Sequence, residues 1–263
     1  MNKKALLVIS FGTSHTETRE KSITATENVL ARAFPEHDLR RAFTSHVVIK
    51  KLGKRDDIAI DSVTQAVEKL YLEGYKEVLA QPLHVINGAE YHSGIVELMP
   101  YLKKFTKVSI GRPLLTHHQD YVAIVDALRD ELPETGPNEA VIFMGHGSQH
   151  PANSAYSELD YVFKDEGFPH VHIGTVEGFP TLDSVIKRLE AENIKKVTLL
   201  PFMFVAGDHA QNDMAGDEED SWKTILEDKG YTVVTRLVGL GEIEKIRQIY
   251  VDHARAALDG GAA

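Results

Sequence analysis

The sequence contains no cysteine. This absence excludes disulfide frameworks, cysteine-ligated zinc or iron–sulfur centres and thiol nucleophiles, so any metal ion must be bound by imidazole and carboxylate groups. Basic residues are also in the minority, since 29 Lys and Arg stand against 39 Asp and Glu and give a formal charge of −10. A nucleic-acid partner needs the opposite balance. The 13 histidines are therefore the first candidates for chemistry.

Long apolar runs are absent as well. No stretch approaches the ~20 apolar residues that span a bilayer, so we expect no membrane association. The apolar residues 5–9 resemble a short signal peptide, but no small-residue cleavage site follows them. A buried first strand is the better interpretation, because a similar run recurs at residues 140–144, where no signal can lie. We expect a cytoplasmic protein.

Short apolar runs alternate along the chain with segments of helical periodicity. Amphipathic helices are predicted around residues 63–71, 121–132 and 182–189. The predicted strands cover residues 5–10, 39–44, 77–83, 107–110, 140–144, 170–176, 196–204 and 232–235. This alternation is typical of βαβ units, so we predict an α/β protein with doubly wound, parallel sheets.

The two halves of the chain resemble each other. Residues 8–13 match 143–148, residues 43–45 match 176–178, and residues 82–90 match 201–209, in the same order in both halves. A segment rich in Pro, Gly and acidic residues, 131–139, separates them. We predict two similar domains, 1–135 and 136–263, with a final helix at 242–258 and a ligand cleft between the domains at the carboxyl ends of the strands.

Three possible metal ligands follow three predicted strands of the second half. His146, between two glycines, follows the strand at 140–144, Glu177 follows the next strand, and His209 follows the third. Neighbouring parallel strands lie about 4.8 Å apart, so the three side chains can converge. Two imidazoles and one carboxylate suit a divalent transition metal and leave coordination positions open. The alternative is that these are ordinary loop histidines and a solvated acid.

The matched positions of the first half are Phe11, Thr44 and Glu90. Only Glu90 could bind a metal ion, so we expect one metal centre. Glu90 is a candidate proton relay or guide for the incoming ion, and a surface acid at the start of a helix is the alternative. The loops that follow the strands also contain candidate substrate-binding residues, which are Ser10, Phe11, Thr13, Ser14, His84 and Ser148.

Other catalytic motifs are missing. The sequence has no G-x-S-x-G nucleophile elbow and no glycine-rich phosphate loop. His170 and His172 share a strand face, but the rest of a metallohydrolase motif is absent, and structural packing is the better interpretation.

Four motifs resemble the class II chelatases, and among them the sirohydrochlorin cobaltochelatases of anaerobic cobalamin biosynthesis. They are Ser-Phe-Gly-Thr-Ser at 10–14, Leu-His-Val-Ile-Asn-Gly-Ala-Glu-Tyr at 83–91, Met-Gly-His-Gly at 144–147 and Val-Ala-Gly-Asp-His-Ala-Gln-Asn-Asp-Met at 205–214. The resemblance extends from residue 3 to about residue 258. It implies a duplicated chelatase-like fold that holds a tetrapyrrole between its domains, and it carries the metal ligands of the family onto His146, Glu177 and His209.

The resemblance also implies a reaction. Co²⁺ is inserted into sirohydrochlorin or precorrin-2 and two protons are released. We expect His146 to accept a proton as well as bind metal, because a neutral imidazole can do both near pH 7. Co²⁺ is then a substrate, no permanent cofactor is expected, and Fe²⁺, Ni²⁺ or Zn²⁺ could substitute. A homo-oligomer is expected.

Three other functions remain open from the sequence: a ferrochelatase for sirohaem, a non-catalytic metal or tetrapyrrole carrier, and a metal-dependent hydrolase. The hydrolase is the least favoured, because its motifs are missing. Sirohydrochlorin carries eight carboxylates, which the densest basic cluster could offset; a solvated charged face is the alternative. This cluster consists of Arg40, Arg41, Lys50, Lys51, Lys54 and Arg55.

Overall fold

A computed structural model describes residues 2–260 and forms two compact α/β units, each built on a parallel sheet of four strands. The first sheet has the order β2-β1-β3-β4 and contains β1 (Lys4–Ser10), β2 (Asp38–Phe43), β3 (Glu77–Pro82) and β4 (Lys107–Ile110). The second has the order β6-β5-β7-β8 and contains β5 (Glu139–Gly145), β6 (Val171–Thr175), β7 (Lys196–Phe202) and β8 (Thr232–Thr235). All eight predicted strands are confirmed, and the two sheets share one topology.

Helices cover both faces of each sheet. In the first unit, α1 (Thr16–Arg19) continues through a π-helical turn (Glu20–Thr24) into α2 (Ala25–Ala33). The next helices are α3 (His46–Asp56), α4 (Val63–Leu72) and α5 (Ala89–Leu98), and a 3-10 turn (Met99–Lys104) extends α5. The second unit contains α6 (His118–Leu128), a 3-10 turn (Pro151–Asn153) before α7 (Ser154–Asp165), α8 (Leu182–Ala191), a π-helical turn (His209–Met214) and α9 (Trp222–Asp228). A 3-10 turn (Leu240–Glu242) then precedes α10 (Glu244–Leu258).

Strand alternation explains the two-sided packing. Successive side chains of a strand point to opposite faces of the sheet, and β1 is buried at every position from Ala5 to Ile9, so both of its faces are covered. In the second unit Ile142 packs with Val185 of α8, whereas Phe143 on the other face stacks on Phe163 of α7 with ring centroids 5.7 Å apart. Each fully buried side chain of this size contributes about 1.5–3 kcal/mol to stability. The doubly wound α/β fold is therefore confirmed.

The packing groups the chain differently from the boundary predicted at residues 135 and 136. The first unit runs to Thr116 and takes up the chain again from Gly241, and the second unit covers His117–Leu240. The reason is that α10 buries Ile246, Tyr250 and Val251 against α2, β3 and β4 of the first unit. None of the helices within residues 2–260 has the length and apolar character that crossing a bilayer requires.

Candidate metal centre

The candidate centre lies at the carboxyl ends of β5, β6 and β7. Gly145 pairs with Thr175 on one side and Phe202 on the other. The parallel ladder between β5 and β6 continues past both strands, because the Val176 amide donates to the Gly145 carbonyl (3.1 Å) and the Glu177 amide donates to the His146 carbonyl (2.8 Å). His146 and Glu177 therefore start from neighbouring backbone positions.

The three predicted ligands lie around His146. Its Nδ1 atom is 3.9 Å from Oε2 of Glu177. Its ring is perpendicular to that of His209, with an interplanar angle of 88° and centroids 4.7 Å apart. All three side chains are about half-exposed, so a hydrated ion can reach them from solvent.

For the neutral form of each imidazole, hydrogen bonds assign the same tautomer to both rings. Nδ1 of His146 is 2.9 Å from the Gly147 carbonyl, and Nδ1 of His209 is 2.5 Å from Oδ2 of Asp213. A carbonyl or carboxylate oxygen only accepts, so Nδ1 carries the proton in each ring. Nε2 of each ring then keeps its lone pair and is the nitrogen available to a metal ion.

Within residues 2–260, no three His, Asp or Glu side chains stand in an arrangement that could hold a metal ion as it is. The contact of the Glu177 carboxylate with His146 is to Nδ1 and not to Nε2, the nitrogen whose lone pair is free in the neutral ring. The Glu177 side chain is 56% exposed, so it can turn without breaking a packed core.

Gly147 lets the loops after β5 and β6 approach each other. Its φ angle is +82°, and a Cβ atom there would lie 2.7 Å from the Gly178 amide nitrogen and 2.9 Å from Cβ of Thr175. Asn153 ties the same loops, because it accepts from the Ser148 amide (2.9 Å) and donates to the Phe179 carbonyl (2.7 Å). The spacing of His146 and Glu177 therefore depends on a side chain being absent at position 147.

An open cavity of about 710 Å³ adjoins Glu177. Its lining contains hydroxyl and amide groups but no Lys or Arg, and includes Ser148, Gln149, Asn153, Ser154, Ser157 and Phe179. Ser148, a predicted substrate-binding residue, thus lies in this lining. Its Oγ atom accepts from the His150 amide (3.0 Å), which leaves its hydroxyl proton available to an acceptor.

The first unit repeats this backbone with other side chains. Gly12 has φ of +92°, like Gly147, and the Ser45 amide donates to the Phe11 carbonyl (3.3 Å) as Glu177 does to His146. The structure therefore matches Glu177 with Ser45, one residue beyond Thr44, which the sequence comparison chose. The strand register causes the shift, since Ser10 pairs with Phe43 just as Gly145 pairs with Thr175. Glu90 is the second residue of α5 and is exposed.

The predicted substrate-binding residues of the first unit differ in exposure. Phe11 is 48% exposed, whereas Ser10, Thr13, Ser14 and His84 are buried. Thr13 Oγ1 accepts from the His15 amide (3.2 Å), but Ser10 Oγ and both ring nitrogens of His84 have no hydrogen-bond partner within the described residues. Burial lowers the pKa of His84 to about 4, so its ring is neutral at pH 7. Among these five residues, Phe11 is the exposed one.

The arginines of the predicted basic cluster are engaged within the first unit. Arg40 lies 3.0 Å from Glu73, Arg41 pairs with Glu27, and Arg55 lies 2.7 Å from Asp56. The lysines of the cluster, Lys50, Lys51 and Lys54, are exposed on α3. The positive charge of the cluster that is not paired with an acid of the first unit in these ion pairs therefore lies on the lysines.

Sequence reasoning missed two residues of the centre. Asp213 contacts His209, and the spacing of four residues in a helical segment was the available signal. Tyr156 packs against Gly145, where a Cβ atom would meet its ring at 2.4 Å. Burial raises the pKa of Tyr156 to about 12, so the phenol stays protonated. No local sequence motif predicts the contact of Tyr156 with Gly145, because it depends on how α7 packs against the end of β5.

Comparison with known proteins identifies the family. The sequence model of the cobalt chelatase (CbiK) family matches residues 4–259. The chain belongs to the cobalt chelatase family. The sirohydrochlorin cobaltochelatase of Salmonella typhimurium is 46% identical over 257 residues, which cover 98% of this chain and 97% of that protein. Sirohydrochlorin cobaltochelatase CbiKC of Nitratidesulfovibrio vulgaris is 38% identical over 98% of this chain and 92% of its own length.

Solved structures support the fold of this cobalt chelatase family member. SirB from Bacillus subtilis with Fe³⁺ superposes with a TM-score of 0.68 at 14% identity and covers 98% of this chain and 97% of its own. CbiX, described as the terminal enzyme for biosynthesis of siroheme in denitrifying bacteria, has a TM-score of 0.54 at 16% identity and covers 96% and 99%. At these identities the likeness establishes the architecture alone. The resemblance found in the sequence motifs is confirmed at the level of the family.

Proposed function

We propose that this protein is a sirohydrochlorin cobaltochelatase of anaerobic cobalamin biosynthesis, which inserts Co²⁺ into sirohydrochlorin and releases two protons. The observation that carries the proposal is the near full-length identity, 46% and 38%, to two proteins of that name. The grouping of His146, Glu177 and His209 at one sheet edge supports it, because it supplies nitrogen and oxygen ligands that suit a divalent transition metal.

His146, Glu177 and His209 present the ion in this proposal. Nε2 of each imidazole binds Co²⁺, Glu177 turns to complete the set, and water fills the remaining positions. Three half-exposed ligands hold the ion weakly enough for the tetrapyrrole nitrogens to replace them in steps. Metal affinity of such a site is a compromise, since a tightly held ion would never be transferred.

His146 also accepts a proton. Insertion exchanges two pyrrole N–H protons for one Co²⁺, so the charge of the complex is unchanged and two protons must leave. Once a ring nitrogen displaces His146 from the ion, its Nε2 lone pair is free to take one of them. Glu90, a carboxylate at the position that matches His209, is our candidate relay for the other, and a Glu90→Gln variant with unchanged turnover would remove it from the mechanism.

The finer features of the proposal follow the same chemistry. Phe11 offers its exposed ring to the tetrapyrrole face, and Ser148 offers a hydroxyl to a substrate carboxylate; Ser10, Thr13, Ser14 and His84 shape the loops beside Phe11. Fe²⁺, Ni²⁺ and Zn²⁺ substitute for Co²⁺ because N and O ligands discriminate weakly among these ions. We also propose a cytoplasmic homo-oligomer, and light scattering after gel filtration would give its mass.

Anaerobic absorbance spectroscopy tests the function. Purified protein is mixed with sirohydrochlorin and Co²⁺ or Fe²⁺, beside metal without protein, His146→Ala, and His118→Ala as a matched loss of an exposed histidine of the second unit. We expect rapid conversion with Co²⁺ by wild type and His118→Ala, and tetrapyrrole binding without turnover by His146→Ala. Equal rates with Fe²⁺ would leave the metal choice to cellular supply. Binding without acceleration would overturn the enzyme and leave a carrier.

A further inference from the structure

The π-helical turn His209–Met214 brings an acidic side chain onto the ring of His209. Oδ2 of Asp213 lies 2.5 Å from Nδ1 of His209, four residues earlier in the chain. Both side chains are partly exposed, at 41% and 44%, so burial does not force the contact. Short helical distortions of this kind are frequent at functional sites. The contact is thus a specific hydrogen bond, on the side of the ring away from Nε2.

We propose that Asp213 is a positioning residue for metal capture, whose carboxylate fixes the tautomer and orientation of His209 so that Nε2 is presented to Co²⁺. The proposal rests on the proposed role of His209 as a ligand. A carboxylate accepts and never donates, so it stabilises the form of the ring with the proton on Nδ1. Metal-binding histidines commonly depend on such a partner for their other ring nitrogen.

The neighbouring ligand shows the same arrangement by another route. His146 donates from Nδ1 to the Gly147 carbonyl at 2.9 Å, so the backbone fixes its tautomer. For His209, the acceptor found at Nδ1 within residues 2–260 is the side chain of Asp213 and not a backbone carbonyl. The two rings, 4.7 Å apart, then both keep Nε2 unprotonated. Two Nε2 lone pairs are what a single ion between the rings requires.

The duplicated half provides an internal comparison. Glu90 occupies the position of His209, and the residue four further on, matching Asp213, is Gly94. A carboxylate such as Glu90 has no tautomer to fix. A Cβ atom at Gly94 would lie 3.1 Å from Cγ2 of Thr44, so that position serves packing in the first unit. The carboxylate of Asp213 therefore occurs only in the half whose matched position is an imidazole, that of His209.

The test compares Asp213→Ala with Asp213→Asn, which keeps an oxygen acceptor, and with Asp217→Ala. Asp217 lies four residues beyond Asp213, pairs with Lys223 at 2.7 Å and is exposed, so its variant matches the loss of charge without touching His209. Long-range ¹H–¹⁵N NMR spectra of the metal-free protein report which nitrogen of His209 carries the proton. Titration with Co²⁺ alone, followed by its visible absorption, reports affinity.

We expect Asp213→Ala to move the His209 proton from Nδ1 toward Nε2 and to weaken Co²⁺ binding by about 10–100-fold. Asp213→Asn should keep the Nδ1–H tautomer and lose less than tenfold, and Asp217→Ala should match wild type. An unchanged tautomer in Asp213→Ala would overturn the proposal whatever the activity. A changed tautomer with unchanged Co²⁺ affinity would also overturn the proposal. The variant His209→Ala tests the proposed ligand set separately, because its Co²⁺ affinity shows whether His209 binds the ion at all.

Discussion

Replacing Gly147 by alanine should separate the loops that hold His146 and Glu177. Two costs add at this position. An alanine at φ of +82° is strained by about 1–2 kcal/mol, because its Cβ crowds the following carbonyl oxygen. The added methyl would also lie 2.7 Å from the Gly178 amide nitrogen, and backbone cannot move aside as a flexible side chain does. Overpacking of this kind costs about 1–3 kcal/mol more.

Gly167 provides a matched control for the backbone strain. Its φ angle is +88°, nearly that of Gly147, but a Cβ atom there would meet nothing within 4 Å. We therefore expect Gly167→Ala to lower the free energy of unfolding by about 1–2 kcal/mol, and Gly147→Ala by about 2–5 kcal/mol. Urea denaturation followed by circular dichroism measures both. The difference between the variants reports the contact between the two loops.

Activity should separate the two variants further. A displacement of about 1 Å at a reacting group can cost about 100-fold in rate. We expect kcat/KM for Co²⁺ insertion to fall by about that factor in Gly147→Ala and to stay unchanged in Gly167→Ala, both assayed well below their unfolding temperatures. If Gly147→Ala were no less stable and no less active than Gly167→Ala, the close approach of the loops would not matter to the centre.

Two further predictions concern charge. Burial lowers the pKa of His84 from 6.5 to about 4, so on acidification the unfolded chain binds the proton at a higher pH than the folded chain does. The contribution of His84 to the free energy of unfolding is therefore complete above about pH 6.5 and is lost as the pH falls toward 4. The loss between pH 7 and pH 5 amounts to about 2 kcal/mol. His84→Leu should lose that pH dependence in denaturant unfolding, and an unchanged slope would contradict the assignment. Asp160 is buried and accepts from Arg188 (2.6 Å) and Lys164 (3.0 Å), so Asp160→Asn should lower the free energy of unfolding by about 2–3 kcal/mol. Asp126 is exposed, and Asp126→Asn should lower it by less than about 1 kcal/mol. Equal losses in the two variants would refute the reasoning.

The architecture could be predicted from the sequence because the central strands β1, β3, β5 and β7 are buried on both faces. Runs such as residues 140–144 are apolar at every position, and that pattern fixes a strand between two layers of helices. The sequence did not predict that α10 belongs to the first unit, because α10 has an ordinary amphipathic face. A buried face shows that a helix packs, but it does not say which sheet it packs on. Its place on the first sheet depends on contacts such as that of Tyr250 with the Leu83 carbonyl (3.2 Å), which are distant in the chain.

The proximity of the candidate ligands could be predicted because each lies beyond the carboxyl end of a strand, His146 directly after β5 and the other two in the loops after β6 and β7. Strand order then brings His146, Glu177 and His209 together with no need for side-chain detail. The match between Glu177 and Thr44 failed by one residue, since pairing register is set by backbone hydrogen bonds that the letters do not display. Asp213 was missed for a similar reason. Its role depends on the orientation of a ring, and a sequence pattern gives proximity but not orientation.

The two halves show which part of the centre belongs to the backbone and which to the side chains. Both units place a left-handed glycine after the first strand and join the next loop to it by the same amide-to-carbonyl bonds. The backbone alone therefore does not supply possible metal ligands, because the first unit has Phe11 and Ser45 where the second has His146 and Glu177. A phenyl ring and a serine hydroxyl are poor ligands for Co²⁺. The first unit thus has the same loop shape without possible metal ligands, and this shape presents the exposed ring for which we propose a contact with the tetrapyrrole, that of Phe11.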